Sequence, residues 1–508
     1  MAARDVDSID PESSTDSRSV IRPPSRRLFY VFIVNENIGY LNFCSYLIAC
    51  FATILLVAYL GVVQPFILTV ILGIPGNTTG NITGSLALYD EIIALPFTLI
   101  WGILSDRVGR RPVYSIGFIC LGCSLIAYPY VNNIYPQMLL CRLLFSVGSS
   151  AATCMMTGTM SDIAGGLHER GRVSGAVGLF AGVGGLVAGM VLTKVPYQLT
   201  RIAKSEVEGI QLSYGIVGGC AVALGAIFIF SMPRTGRGDA KGVTAWAKSL
   251  ISCNKPQVNG TDPDSQDSIS PWRMLKYGII AGRDPRVALA YMSSFVSRAD
   301  TVLFTSFMSL WVVQHFADLG YCRGGNTCYV AAGDTHTLTG YGQGIALAFA
   351  PIYGYAGERF RKSSVLAFAG LVGAIGSIPF AFTKLPPADP SNFAFITLTG
   401  IGQMGMIVTG MTLVNGLNVD PKYRGSVAGV FSFTGAVSIM IMARLGGYLF
   451  DAWMRGAPFV LMGIAHLVIM VMSVYVSFVT PRLEREDRKR QIEELQRIKD
   501  MELETTEK

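Results

Sequence analysis

Charged side chains are scarce in this chain of 508 residues. Asp, Glu, Lys and Arg make up 15% of it, against roughly 25% in soluble globular domains. A soluble multidomain enzyme is therefore disfavoured, and a disordered chain is disfavoured because disorder requires low hydrophobicity. Phosphate-binding loops and dinucleotide-binding fingerprints are absent, and the ten cysteines show no zinc or haem spacing. We therefore expect neither an enzyme nor a bound metal or cofactor.

Apolar residues, in contrast, make up 51% of the chain and occur in long runs. A membrane helix needs about 20 mostly apolar residues. We number the runs of this length as spans 1 to 12: 42–66, 86–105, 112–130, 138–160, 173–192, 213–231, 287–313, 338–355, 364–382, 393–414, 427–450 and 457–480. The sequence therefore predicts an all-α integral membrane protein with two six-helix bundles, over 42–232 and 287–480.

The remaining segments are polar. Residues 1–28 lack the apolar core of a cleaved signal peptide, and we predict a disordered cytosolic tail over 1–41. We predict a cytosolic central loop over 233–286, with a short amphipathic helix near 246–250 or 272–277. The mixed-charge segment 481–508 is predicted to be a cytosolic tail, and its opposite charges four residues apart favour a solvated helix.

Lys and Arg are distributed unequally between the two sides of the predicted membrane. The segments that share a side with the termini hold 32 of them, and the opposite segments hold six. Cytosolic loops of membrane proteins collect Lys and Arg, so we expect both termini in the cytosol. A plasma membrane and an endolysosomal or vacuolar membrane fit this pattern equally.

Two features mark the loops on the other side. Glycosylation sequons begin at Asn77 and Asn81 in the first of these loops, and both asparagines are candidate glycosylation sites. Cys322 and Cys328 lie close together in a later loop and form a candidate disulfide. Both features are typical of segments that face a non-cytosolic compartment.

The chain contains an internal repeat. The run GILSDRVGRR, from Gly102 to Arg111, lies between spans 2 and 3, and a degenerate copy, GYAGERFRK over 354–362, lies between spans 8 and 9. The hexapeptides RGRVSG over 170–175 and RGSVAG over 424–429 begin spans 5 and 11. Two motif pairs at nearly one offset indicate a duplicated six-helix unit. Secondary transporters often have such repeats, with the substrate site between the halves near the membrane midplane.

The run from Gly102 to Arg111 resembles the loop 2–3 motif of the major facilitator superfamily: Gly, three residues, Asp-Arg, one residue, Gly-Arg and a basic residue. With the twelve spans, the resemblance covers nearly the whole chain. It implies two six-helix bundles that rock about a central cavity, and a loop that latches them in the outward-open state. The alternative is that the loop arginines only set topology. The predicted latch residues are Gly102, Asp106, Arg107, Gly109, Arg110, Arg111, Glu358 and Arg359.

Span 7 contains two ionisable residues, Arg298 and Asp300. Inserting such a group at the centre of a membrane helix costs about 2.5–3.5 kcal/mol of free energy on insertion scales, so these groups usually face a cavity or a partner. Counted from the predicted start of the span, they lie about 16 and 20 Å inside it, near the midplane. Asp300 is a candidate proton carrier, and Arg298 is a candidate counter-ion or anion-binding group. The alternative is a structural ion pair with another helix.

Further candidates lie in spans 2, 4, 8 and 11. By resemblance, Arg142 corresponds to the span 4 arginine that is associated with proton coupling in exporters, although the glutamine expected three residues later is absent. Gln343 in span 8 is a polar candidate to line the site. Asp90 and Glu91 lie in the outer third of predicted span 2, and we expect them to be interfacial. Arg444, deep in span 11, is expected to snorkel to the outer surface.

These features predict a secondary active transporter that moves a small organic solute by alternating access, driven by a proton gradient. An arginine near the midplane favours an anionic or zwitterionic solute, because its lone charge is costly to bury. We expect a monomer in the lipid bilayer, without nucleic acid. The alternatives are an uncoupled facilitator and a non-transporting receptor or sensor. The intact loop motif disfavours a receptor, since a protein that does not cycle needs no latch.

Overall fold

The structure is a computed structural model that describes residues 25–30, 32–163, 170–200, 202–203, 205–233, 271–321, 328–415 and 424–506. Of the tail over 1–41 that is expected to be disordered, residues 1–24 lie outside the described residues, and the part from residue 25 onward differs from that expectation. Strands Ser25–Leu28 and Phe32–Asn35 pair antiparallel as a hairpin, and the first membrane helix begins at Tyr40. Leu28 and Val34 are fully buried, so the hairpin is held by packing that the polarity of the segment does not predict.

Ten helical segments of the described residues are long and apolar enough to cross a membrane. They correspond to spans 1–6 and 9–12, with the bounds Tyr40–Ile71, Thr79–Ser105, Arg110–Tyr130, Ile134–Met160, Arg172–Leu199, Glu206–Ser231, Lys362–Ala381, Pro390–Val414, Ser426–Ala452 and Ala457–Arg482. The helix of span 2 continues to Val108. The helix of span 12 continues to Thr506 and includes most of the charged C-terminal segment.

Spans 7 and 8 are also helical, but they are more polar. Span 7 consists of helices Pro285–Val302 and Met308–Asp318, joined by a π-helical turn over Leu303–Phe307. Span 8 is the helix Tyr329–Arg359, whose 31 residues are about 46 Å long. Both exceed the roughly 30 Å hydrocarbon core of a bilayer. The architecture is therefore consistent with the predicted twelve spans.

The central polar segment contains a helix, Pro271–Ala281, which packs against span 11. It includes one of the two places where the sequence predicts an amphipathic helix; the other, 246–250, lies outside the described residues. The Tyr291 hydroxyl of span 7 donates to the Gly278 carbonyl oxygen at 2.6 Å. This helix is thereby attached to the second half of the molecule.

The two halves share one packing scheme. In the first half, span 3 packs against spans 4 and 6, and span 1 packs against span 5. In the second half, span 9 packs against spans 10 and 12, and span 7 packs against span 11. The pairs match when six is added to each span number, as the sequence repeat predicts. Between the halves, span 2 packs against span 11, span 5 against span 8, and span 1 against span 7.

The halves separate toward one side of the molecule. We call the side on which span 1 begins the termini face, and the other side the distal face. A row of glycines on span 5, three or four residues apart, is directed toward span 8: Gly189, Gly185, Gly182 and Gly178. At Gly189, nearest the distal face, a Cβ atom would lie 3.3 Å from the backbone nitrogen of Gly340. At Gly178, nearest the termini face, it would meet no atom within 4 Å. The gap between the halves therefore widens toward the termini face.

Candidate functional site

A polar cluster lies inside the first half, where spans 1, 2 and 4 meet. The Arg142 guanidinium of span 4 forms a salt bridge with the Asp90 carboxylate of span 2 and donates to Gln64 Oε1 of span 1. Ser146, one turn along span 4, donates to the Asp90 carbonyl oxygen at 2.6 Å. Arg142 and Gln64 are buried. The cluster thus pairs the charge of Arg142 within the bundle, as a membrane span requires.

The position of Asp90 corrects the expectation that this residue is interfacial. The helix of span 2 begins at Thr79, whereas the sequence predicts its start at residue 86. Asp90 therefore lies about 17 Å inside the helix, where it meets Arg142. The apolar run begins late because the first turns of the helix contain Gly, Asn, Thr and Ser, which pack against span 11 instead of lipid.

A second ionisable pair lies inside the second half, between spans 7 and 12. The Nε2 atom of His466 lies 2.5 Å from Oδ2 of Asp300, and both residues are completely buried. Among the described residues, no group forms a hydrogen bond with Asp300 Oδ1 or His466 Nδ1. Space for the imidazole exists because residue 373 of span 9 is glycine; a Cβ atom there would overlap the ring. A carboxylate and an imidazole in a buried hydrogen bond form a site that can hold or release a proton.

His466 is absent from the candidates that the sequence suggests, although Asp300 is among them. The signal for His466 is an ionisable side chain inside the apolar run of span 12, which by default indicates a functional position. A lone histidine in an apolar run nevertheless has no visible partner in the sequence. Only the packing of span 7 against span 12 brings the two side chains together.

Arg298 lies on the face of span 7 that is directed toward the first half. It is exposed, although the residues on either side of it in the chain are buried. Thr301 and Thr305 follow at helical spacing on the same face, and Thr305 lies next to Gly61 of span 1. In the described part of the chain, no group forms a hydrogen bond or ion pair with the guanidinium. Arg298 therefore faces the gap between the halves.

The four predicted coupling and substrate residues fall into two groups. Arg142 and Asp300 are paired inside their own halves, as described above. Gln343 of span 8 lies beside Gly185 of span 5, where the halves are still in contact. Arg298 and Gln343 are thus directed toward the other half.

The loop between spans 2 and 3 turns at Gly109, whose φ of 102° favours glycine over residues with a Cβ atom. Arg110 Nε donates to Asp162 Oδ2 of span 4 at 3.1 Å. Arg111 Nε donates to the Met232 carbonyl oxygen, at the end of span 6, at 2.6 Å. These contacts join the ends of the helices of the first half to one another.

The remaining predicted latch residues are only partly described. Gly102 lies next to Cys154 of span 4, and Arg359 is exposed at the end of span 8. The side chains of Asp106, Arg107 and Glu358 lie outside the described residues. A latch between the halves therefore stays a prediction.

A polar interface joins spans 2 and 11 near the distal face. The Asp451 carboxylate accepts hydrogen bonds from the backbone nitrogens of Gly80 at 3.0 Å and Asn81 at 2.6 Å. Arg444 donates to Asn81 Oδ1 and to Ser85 Oγ. Arg444 therefore joins the halves and reaches toward the distal end of span 2, while its snorkelling to the surface stays a prediction. The hydrogen bonds that join described residues of the two halves include those at this interface, one at mid-span between Ser309 and Val62, and one from the Cys328 backbone nitrogen to Glu206.

The candidate modification sites also lie near the distal face. Asn77 is exposed ahead of span 2, whereas the amide oxygen of Asn81 accepts from Arg444 within the first turn of that helix. Cys328 is buried and disulfide-bonded. Its predicted partner Cys322 lies outside the described residues, so their pairing stays a prediction.

The sequence matches the family model of the Major Facilitator Superfamily over residues 43–316 and 290–501. Magnetosome protein MamZ of Paramagnetospirillum magneticum is 24% identical over 428 residues, which is 82% of this chain and 59% of that protein. Magnetosome protein MamH of the same organism is 24% identical over 415 residues, 80% of this chain and 86% of that protein. Citrate exporter 1 of Aspergillus niger is 37% identical over 83 residues, 16% of this chain and 15% of that protein. The chain thus spans about three fifths of the length of MamZ.

Solved transporter structures share the fold. The nucleoside transporter NupG is 13% identical and superposes with a TM-score of 0.59 over 86% of this chain and 99% of its own. The xylose transporter XylE from E. coli, in an inward-open conformation, is 13% identical with a TM-score of 0.59 over 85% of this chain and 96% of its own. At these identities the likeness concerns the fold alone.

Proposed function

The chain belongs to the Major Facilitator Superfamily, and on that premise we propose that it is a proton-coupled secondary transporter of a small organic solute. Its family and its fold identify it as a multi-pass membrane transporter and not as an enzyme. Coupling to protons and the choice of solute are the proposal. The observation that carries it is the buried pair of Asp300 and His466 at mid-span.

Alternating access requires two states of the gap between the halves. In the present state, spans 2 and 11 are joined near the distal face, and spans 5 and 8 separate toward the termini face. A solute would therefore enter or leave from the termini face. The other state requires the distal contacts to break and the termini ends of the spans to meet.

The buried pair is placed where a proton can influence that exchange. Asp300 lies three residues before the π-helical turn Leu303–Phe307, and next to this turn Ser309 Oγ donates to the Val62 carbonyl oxygen of span 1 at 2.5 Å. Such π-helical turns occur frequently at functional sites. A proton that enters the pair changes its charge, and burying an unpaired charge is costly. We infer that protonation of the pair alters how span 7 meets the first half.

The test uses proteoliposomes that contain the purified full-length chain and a pool of candidate organic acids and amino acids. We expect the wild type to accumulate at least one solute when a pH gradient is imposed. Asp300→Asn and His466→Gln should lose this accumulation but retain exchange of labelled for unlabelled solute, because exchange requires no net proton movement. The matched control is Asp389→Asn, in the loop before span 10, where asparagine retains an oxygen for the Ser391 backbone nitrogen.

Each other outcome identifies a different function. If both substituted proteins accumulate the solute normally, the pair is structural and the coupling proposal is wrong. Wild-type flux that only equalises concentrations indicates a facilitator. Saturable binding without flux indicates a receptor or sensor.

We also propose that both termini lie in the cytosol, since the segments on their side hold most of the Lys and Arg residues. Epitope tags at either end should bind antibody only after cells are permeabilised. Staining of intact cells at either tag would contradict this orientation.

A further inference from the structure

Spans 2 and 11 meet along a row of mostly small residues, and span 7 lies beside them. Gly84 of span 2 lies against the backbone of Ala443 in span 11. One turn further along span 2, Ala87 packs with Ile439 of span 11 and with Val302 of span 7. These contacts define which positions of the three spans lie at the same depth.

The next turn toward the termini face brings two charges to one level. On span 2 this position is Glu91, four residues after Ala87. On span 7, which runs in the opposite direction, it is Arg298, four residues before Val302. On span 11 it is Gly435, where a Cβ atom would lie only 2.6 Å from Arg298 Cγ. Glu91 and Arg298 therefore lie on opposite halves of the molecule, at similar depth, beside the same gap.

Both charges lack a partner among the described residues. Glu91 is half-buried and forms no hydrogen bond or ion pair there, whereas its neighbour Asp90 is bound to Arg142. Arg298 is exposed and likewise forms no hydrogen bond or ion pair with a described residue. Glu91 and Arg298 are therefore not joined by a salt bridge to each other. Uncompensated charges inside a membrane protein are costly and usually line a water-filled substrate path.

We propose that Glu91 and Arg298 bind the two ends of a zwitterionic solute, with a carboxylate on Arg298 and an ammonium group on Glu91. Arginine is suited to the first role because its planar guanidinium binds a carboxylate through two parallel hydrogen bonds. A carboxylate accepts hydrogen bonds from an ammonium group in the second role. This inference rests on the proposed transport function and specifies its substrate class.

A zwitterion would also act on both halves at once. Glu91 belongs to the first half and Arg298 to the second, so one bound molecule connects the two across the gap. A simple anion or a simple cation would neutralise one charge and leave the other without a partner. The site should therefore favour zwitterions over singly charged molecules of equal length.

The test measures binding to the purified full-length chain in detergent by thermal stabilisation. The zwitterionic probes are glycine, β-alanine, 4-aminobutanoate and 6-aminohexanoate, which differ only in the separation of their charges. Butanoate and butylammonium are the singly charged probes of matched length. We expect one zwitterion to stabilise the wild type and to bind at least about tenfold more tightly than either singly charged probe.

Substitutions at the two charges should change the selectivity in opposite directions. Glu91→Gln should weaken binding of the best zwitterion by about tenfold or more and bring it close to that of butanoate. Arg298→Gln should bring binding of the best zwitterion close to the binding of butylammonium. The matched controls are Glu36→Gln and Arg482→Gln, which alter exposed residues outside the membrane core and at the end of span 12. Both controls should bind as the wild type does.

The proposal is overturned if no zwitterion of the series stabilises the wild type, or if Glu91→Gln and Arg298→Gln leave zwitterion binding unchanged. Failure of the transport function has a different signature. A zwitterion that binds with the expected selectivity but does not cross proteoliposomes contradicts transport and supports the site. Gradient-driven uptake of only uncharged or singly charged solutes supports transport and contradicts the site.

Discussion

The charged residues at mid-span differ in whether their partner lies in the same half. Asp90 is paired with Arg142 inside the first half, and Asp300 with His466 inside the second. A pair inside one half keeps its geometry when the halves move as bodies. Arg298, in contrast, faces the gap, so its distance to charges of the other half would change whenever the halves move as bodies. Its charge is therefore suited to sensing the solute.

The first prediction concerns the buried pair. His466→Leu leaves the Asp300 carboxylate buried without a partner, and we expect it to lower the free energy of unfolding by about 3–5 kcal/mol. The double change Asp300→Leu with His466→Leu removes both polar groups and should be more stable than His466→Leu alone. Thermal unfolding in detergent measures both effects. A double variant that is as destabilised as His466→Leu, or more so, would show that the hydrogen bond is unimportant.

A second prediction concerns the glycine that makes room for Arg298. Gly435→Ala places a Cβ atom 2.6 Å from Arg298 Cγ and 2.9 Å from Ser294 Oγ, so the arginine must move. We expect solute uptake to decrease severalfold, while the protein still folds. Gly429→Ala is the control, because a Cβ atom there meets nothing within 4 Å. Equal uptake by the two variants would contradict the placement of Arg298.

At the scale of helices, contact between the halves depends on where small residues occur. The glycines of span 5 let span 8 approach closely near the distal face, and the same row continues to positions that meet no neighbour. Small residues at the contact generally let membrane helices approach each other closely. Because the glycine row of span 5 extends beyond its present contact with span 8, the two helices have room to meet near the termini face in a second state.

The third prediction compares the two ends of this row. Gly189→Leu inserts a side chain where span 5 touches Gly340, so it should lower the thermal stability of the purified protein. Gly178→Leu lies in open space and should leave that stability unchanged. Both should reduce transport, since Gly178→Leu hinders closure at the termini face. Normal transport by Gly178→Leu would mean that span 5 does not approach span 8 there.

For the molecule as a whole, the distal interface holds the two halves in their present relation. The Asp451 carboxylate of span 11 caps the first turn of span 2, where unpaired backbone nitrogens and the helix dipole favour a negative charge. Arg444 adds contacts to the side chains of Asn81 and Ser85. Spans 2 and 11 belong to different halves, so these bonds must break whenever the distal face opens.

The fourth prediction follows from this interface. Asp451→Ala removes the cap and should cost about 0.5–2 kcal/mol, which shifts the molecule toward opening at the distal face. A cysteine introduced at Thr305, which faces the gap, should then react faster with a membrane-impermeant thiol reagent applied from the distal side. The same cysteine in the otherwise unchanged chain is the reference. An unchanged or slower reaction would contradict the role of Asp451.

The sequence by itself determined the class of the molecule, the order of its spans and the duplication of its halves. Apolar length and motif spacing are local properties, so the apolar runs indicate spans 1–6 and 9–12 without knowledge of their neighbours. Asp300, Arg298 and Arg142 were recognisable for the same reason, because a charge inside an apolar run is visible in the run itself. The start of span 2 was placed too late, since its first turns pack against another helix and need not be apolar.

Tertiary structure alone decided which of these charges meet. The partner of a buried side chain depends on the depth and rotation of two helices that are far apart in sequence, and no local pattern records either quantity. Arg142 thereby meets Asp90, and Asp300 meets His466. Arg298 is left facing the gap because its own neighbours on span 7 occupy the helix face that packs inside the second half.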